Sequence, residues 1–197
     1  MRLDFRHTRF LTSADDLAGL PPDRGREVAF AGRSNAGKSS ALNAICGVSG
    51  LARVSKTPGR TRLINLFTVA GNLRLVDLPG YGYAKVSRAE QAHWGALLGA
   101  YLGHRQCLAG LVLIMDVRHP LTAFDRQLLD YAGPLSLPLH ILLTKADKLG
   151  RGAGQQTLAA VKRGLMARGS VQLFSALSGE GVEEAQQLLA GWLTEKK

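Results

Sequence analysis

Cysteine is nearly absent from this chain: Cys46 and Cys107 are the two in 197 residues. Neither falls in a CxxC or zinc-ligand spacing, which argues against a thiolate metal centre. Two reduced core cysteines in a cytosolic protein are the plain expectation. Long apolar runs are missing as well. The longest, Leu108–Met115, is far short of the roughly 20 residues that a bilayer-spanning helix needs, so no membrane partner is expected. Asp4, Arg6 and His7 interrupt the N-terminus before an apolar run can form, unlike a signal peptide, and a cytoplasmic location is the expectation. There is no internal repeat and no low-complexity linker. Acidic residues are scarce beside basic ones, 15 against 25, for a net charge of +10. Such an excess draws polyanions: nucleic acid, acidic membrane or nucleotide phosphates. A merely solubilising surface charge is the alternative that composition leaves open.

What is present suits one globular domain. The hydrophobic fraction is 46% and the charged fraction 20%, enough for an ordinary core at this length. Residues 1–26 are polar and mixed, ending in the turn signal Pro21-Pro22-Asp23. They read as an N-terminal extension with one short strand near Phe5–Phe10. A buried strand is predicted over Glu27–Ala31, then a helix over Lys38–Cys46 stopped by Gly47. Residues 49–62 form a loop. Leu63–Val69 and Leu73–Asp77 flank Gly71-Asn72, a strong hairpin signal. A helix capped by Ser87, with Glu90 at the capping-box position, runs to about Leu102. Strands at Leu108–Asp116, Leu139–Leu143 and Val171–Phe174 then alternate with helices at Thr122–Ala132, Gln155–Arg168 and Val182–Leu193. That order predicts an α/β fold: a mostly parallel six-stranded sheet with one antiparallel strand and helices on both faces. Ligands of such sheets bind beyond the carboxyl ends of the strands.

Three motifs fall at those strand ends. The first, Gly32-Arg33-Ser34-Asn35-Ala36-Gly37-Lys38-Ser39, fits GxxxxGK[ST] between a predicted strand and a predicted helix. Its glycines let the backbone curl so that successive N–H groups point at phosphate oxygens, and the helix adds its positive end. Lys38 reaches the β- and γ-phosphates, and the Ser39 hydroxyl ligates Mg²⁺. The second, Asp77-Leu78-Pro79-Gly80, fits DxxG. Asp77 can hold Mg²⁺ through a water, and the Gly80 N–H can sense the γ-phosphate. The third, Thr144-Lys145-Ala146-Asp147, reads the base. A carboxylate accepts both N1–H and N2–H₂ of guanine, and adenine has no N1–H to give. The Lys145 stem can cover the base face, and Ser175-Ala176, after Phe174, can offer a backbone N–H to guanine O6.

Between the first two motifs lies Ser55-Lys56-Thr57-Pro58-Gly59-Arg60-Thr61. Thr57 and Thr61 could each give Mg²⁺ a hydroxyl; the Pro58-Gly59 turn favours Thr61. The expected GTP contacts therefore include Ser40, Gly59, Arg60, Thr61, Arg62 and Leu63 besides the three motifs. Arg60 or Arg62 could act as a cis arginine finger, contact RNA, or simply be solvated. Catalysis is expected to rest on Lys38, Gly80 and Asn35. Many GTPases place a glutamine after DxxG to orient the attacking water; here Tyr81 stands there, so slow hydrolysis is expected. Asn35 either helps to hold K⁺ beside the phosphates, where the cation would stabilise developing charge, or only stabilises the loop turn. Trp94 and Tyr101, seven apart on one helix face, read as core packing.

Together these motifs resemble the TRAFAC-class GTPases. The stretches Lys56-Thr57-Pro58-Gly59-Arg60-Thr61 and Asp77-Leu78-Pro79-Gly80-Tyr81-Gly82-Tyr83-Ala84 are similar to one family in particular, EngB (YihA, YsxC), over about residues 10–193. Thr144 departs from the commoner Asn of GTPases but looks usual for that family. The resemblance implies a GTPase domain over 27–197 that exchanges GTP and GDP, with Mg²⁺ on Ser39 and Thr61 and guanine on Asp147. It further implies a protein that assists assembly of the large ribosomal subunit, contacting that subunit or its RNA, and that is needed for normal septation and cell division; a monomer is expected. A metabolic nucleotide kinase and a non-hydrolysing GTP-dependent scaffold are the competing classes.

Overall fold

The computed structural model describes residues 3–52, 63–80, 88–165 and 169–195, with side chains described from Trp94 onward in the helix that begins at Arg88. Its strands are β1 (Arg9–Ala14), β2 (Arg26–Gly32), β3 (Ile64–Ala70), β4 (Leu73–Asp77), β5 (Leu108–Asp116), β6 (Leu139–Thr144) and β7 (Ser170–Leu173). The helices are α1 (Lys38–Cys46), α2 (Arg88–His104), α3 (Ala123–Ala132), α4 (Arg151–Gly164) and α5 (Val182–Thr194).

One sheet carries all seven described strands in the order β1-β3-β4-β2-β5-β6-β7. β2 pairs in parallel with β4 and β5, and β5-β6-β7 continue in parallel. β3 alone runs against its neighbours, antiparallel to both β1 and β4. The parallel strands read as continuous apolar runs because helices cover both faces. Along β5, Leu111, Leu113 and Met115 face a core shared with α2, α3 and α4, whereas Val112 and Ile114 face a core shared with α1 and α5. That alternation is the period-two geometry of a strand. Tyr101 is fully buried in the first core, against which Trp94 packs half-buried. On the other face Trp192 of α5 lies flat on Gly110, where a Cβ would fall 2.2 Å from the indole.

The sheet has seven strands rather than the expected six. The additional strand is β1, and the strand expected near Phe5–Phe10 lies a few residues later. Asp4 caps a short 3₁₀ turn over Phe5–His7 by accepting from the Arg6 N–H, which keeps those residues out of the sheet. β1 owes its place to β3: Phe10 meets Phe67 edge-on at 6.0 Å, and Ser13 Oγ donates to Asn65 Oδ1 at 2.7 Å. Helix α4 also starts earlier than expected, at Arg151 after an extended Gly150, and Gly154 within it packs on Leu173 of β7.

Candidate functional site

β2 lies at the centre of the sheet, between β4 and β5, so the loop leaving its carboxyl end is flanked by two other strand ends. Gly32 closes the strand against β5; a Cβ there would fall 2.8 Å from the Ile114 carbonyl oxygen. The chain then curls through two left-handed residues, Asn35 at φ 62° and Gly37 at φ 102°. Asparagine and glycine are the residue types that tolerate this conformation best. The Ala36 N–H folds back onto the Arg33 carbonyl at 3.0 Å, and α1 begins at Lys38. The result is an anion-binding concavity on a helix N-terminus.

The DxxG segment adjoins this loop. Lys38 Nζ hydrogen-bonds the Asp77 carboxylate at the end of β4, and both side chains are nearly buried. The Leu78 N–H bonds the Phe30 carbonyl at 3.0 Å, extending the β2–β4 pairing by one residue. Gly80 then lies against the phosphate loop: a Cβ on it would stand 3.6 Å from Ser34 Cα and 3.7 Å from the Gly32 carbonyl. From α2, Trp94 Nε1–H donates to the Pro79 carbonyl at 2.9 Å.

On the other side of the loop a cleft of about 200 Å³ is lined by Ser40, Lys145, Asp147, Phe174, Ala176 and Leu177, among others. The Ser175 hydroxyl donates to Asp147 Oδ1 at 2.6 Å and accepts from the Leu177 and Ser178 N–H groups at 3.2 Å each. The Ser175 bond, more than Lys148 at 3.3 Å, holds the Asp147 carboxyl below the usual carboxylate range, so it is an anionic acceptor. The Ser175 N–H, one of the two expected to face guanine O6, is taken by the Glu180 carbonyl at 2.9 Å.

Two residues lock this cleft to the phosphate loop. The Thr144 hydroxyl lies between the carbonyls of Ala36 and Met115, the latter at 3.0 Å. Lys145, itself left-handed at φ 60°, donates to the Asn35 carbonyl at 2.7 Å and pairs with Asp116 at 2.9 Å. Burial alone would raise the Asp116 carboxyl; hydrogen bonds from Arg118 and Lys145 outweigh it and hold the group well below the ordinary range. The structure thus brings together Gly32 to Ser40, Asp77 to Gly80, Thr144 to Asp147 and Phe174 to Ala176. Leu63 is exposed at the start of β3. Thr57, Gly59, Arg60, Thr61, Arg62 and Tyr81 lie outside the described residues.

Asp116, Arg118, Lys148 and Leu177 belong to this neighbourhood and carry no motif. In space Asp116 ends β5, between the strands that carry the phosphate loop and the base reader. The oxygen donors at hand, the Ser39 hydroxyl in the first turn of α1 and the Asp77 carboxylate, suit a hard cation that keeps several waters and phosphate oxygens. Among the described residues no three His, Cys, Asp or Glu side chains cluster as a metal cage.

Comparison with known proteins adds a family. The family described as "50S ribosome-binding GTPase" matches residues 27–145. A curated relative from Methylobacillus flagellatus, named "Probable GTP-binding protein EngB", is 55% identical over 192 residues, covering 96% of this chain and 93% of the relative. The protein of the same name from Coxiella burnetii is 51% identical over 191 residues, covering 95% and 93%. Among solved structures, a crystal structure of a probable GTP-binding protein engB superposes with a TM-score of 0.69 at 20% identity, covering 86% of this chain and all of that one. Era in complex with MgGDPNP and nucleotides 1506–1542 of 16S ribosomal RNA superposes with a TM-score of 0.66 at 20% identity, covering 88% of this chain and 58% of that one. At these identities the superpositions speak for the fold alone.

Proposed function

Because this chain belongs to the 50S ribosome-binding GTPases, and within them to the EngB GTP-binding proteins, we propose that it is a GTP-operated switch that assists assembly of the large ribosomal subunit. The observation that carries the reading is the convergence of three motifs at the carboxyl edge of the sheet. One loop forms an anion-binding concavity, one segment lies against that loop, and one cleft ends in a fixed carboxylate.

Each residue then has a task. The curled backbone of 32–37 and the start of α1 hold the β-phosphate, and Lys38 moves from Asp77 to the phosphates. Asp147 accepts from guanine N1–H and N2–H₂, and Lys145 lies along the base. Mg²⁺, when bound, would neutralise phosphate charge; Ser39, Thr61 and, through water, Asp77 are the residues to hold it. The Gly80 N–H bonds the γ-phosphate, so its position depends on which nucleotide is present. With Tyr81 where a water-orienting glutamine is common, intrinsic hydrolysis of GTP to GDP and phosphate is slow. Asn35 as a K⁺ ligand remains a finer reading, and equal turnover in KCl and NaCl removes it. The left-handed turn alone already favours asparagine there. The protein acts as a cytoplasmic monomer needed for normal septation, its net charge of +10 turned to ribosomal RNA.

Co-sedimentation with large ribosomal subunits tests this. Binding is expected to rise with a non-hydrolysable GTP analogue over GDP, and to fall steeply with salt as counterion release requires. Nucleotide-independent binding contradicts the switch. Preference for ADP over GDP favours a nucleotide kinase. Absence of hydrolysis with and without subunits favours a scaffold.

A further inference from the structure

The DxxG segment is held by a residue outside every motif. Trp94, seven residues before the buried Tyr101 on α2, donates its indole N–H to the Pro79 carbonyl at 2.9 Å. That carbonyl and the Gly80 N–H belong to the same peptide plane. In a trans peptide they point in opposite directions, and the described chain contains no cis peptide. Fixing the Pro79 oxygen toward α2 therefore aims the Gly80 N–H away from α2. Gly80 itself faces the phosphate loop, with Ser34 Cα 3.6 Å from where its Cβ would be. On the upstream side, Leu78 is pinned to Phe30 of β2 at 3.0 Å. The Pro79–Gly80 plane is thus constrained from both ends.

We infer that Trp94 is a positioning residue for γ-phosphate recognition: its indole N–H orients the Pro79–Gly80 peptide so that the Gly80 N–H meets the terminal phosphate of GTP. The inference rests on the proposed GTP-binding reading. It assigns to α2 a direct part in telling GTP from GDP, since GDP has no group at that position. It also gives a physical reason for tryptophan over phenylalanine at a packing position, because a ring without N–H fills the space and cannot hold the carbonyl.

The test compares W94F with the wild-type chain in titrations with GDP and with a non-hydrolysable GTP analogue. Loss of one positioning hydrogen bond is expected to weaken analogue binding about five- to tenfold and to leave GDP binding within about twofold. A packing defect would weaken both nucleotides alike or lower the melting temperature of the nucleotide-free protein; either result without a change in the analogue-to-GDP ratio overturns the inference. Replacing Trp94 by benzothienylalanine, which keeps the ring shape and lacks the N–H, separates the two causes if W94F folds poorly. The same selective loss supports the inference, and an unchanged ratio overturns it. A wild-type chain that binds neither guanine nucleotide would instead bring down the proposed function beneath it.

Discussion

Asp147 is oriented by a serine hydroxyl at 2.6 Å, so its carboxylate presents a fixed pair of acceptors to the cleft. Asp147→Asn keeps the shape and exchanges one acceptor for a donor. Guanine N1–H or N2–H₂ then faces another donor, and a bond to a charged group is lost. GDP affinity is expected to fall about a hundredfold, while xanthosine diphosphate, whose C2 carries an oxygen, gains relative to it; titration calorimetry with both nucleotides checks this. Asp147 was legible because the TKxD spacing is local. Asp116 was not, because its importance comes from pairing across strands, where it stands in register with Thr144. Trp94 was legible only as packing; its hydrogen bond depends on where a distant loop returns. The threonines and arginines of 57–62 lie outside the described residues.

Among elements, the junction of β6 with the phosphate loop does most to shape the site. The Thr144 hydroxyl has one proton and two buried carbonyls within reach, those of Ala36 and Met115. Thr144→Val removes the hydroxyl with little change in volume and leaves the two acceptors without it. A loss of about 1–3 kcal/mol is expected, which for a chain of this size lowers the melting temperature by several degrees. Both GDP and a GTP analogue should bind more weakly by the same factor, unlike the selective effect expected at Trp94. Calorimetric melting and nucleotide titration together measure it. Element order and type were largely readable from periodicity and from Gly, Pro and Asn punctuation. The misplaced features were those set by tertiary contact: β1 by the outer edge of β3, and the start of α4 by its packing on β7.

Across the whole molecule, β2 joins two different chemistries. Its carboxyl end opens into the phosphate loop. Near its amino end Glu27, fully buried, accepts from Arg74 at 2.7 Å, from Arg105 at 2.8 and 2.9 Å, and from the Tyr101 hydroxyl at 2.9 Å. The strand is seven residues long, so roughly 20 Å separates the two ends. Burial alone would raise the Glu27 carboxyl; hydrogen bonds and charge from Arg105, with Arg74, outweigh it and keep it below its ordinary value of 4.5. A carboxyl depressed in the folded state contributes stability above its unfolded value, and loses it as pH falls through the folded one. Stability should therefore decline below about pH 4.5, and Glu27→Gln should flatten that decline. At neutral pH the same substitution leaves Arg74 without its counter-charge and Arg105 with Asp23 alone at 3.8 Å, a cost of about 3–5 kcal/mol. Denaturant melts across pH test both statements, and GDP affinity of the folded fraction should be unchanged.

The place of β1 at the edge of the sheet also has a consequence in time. Arg9 pairs with Thr68 and Ser13 with Asn65, so among the described strands β1 pairs only with one made about fifty residues later. At about 5–20 residues per second, several seconds pass before that partner is translated. During that interval Phe10 and Leu11, exposed even in the finished fold, have no strand beside them. The nascent chain therefore carries an unpaired apolar strand through that interval, and a chaperone that covers β1 should raise the yield of folded protein.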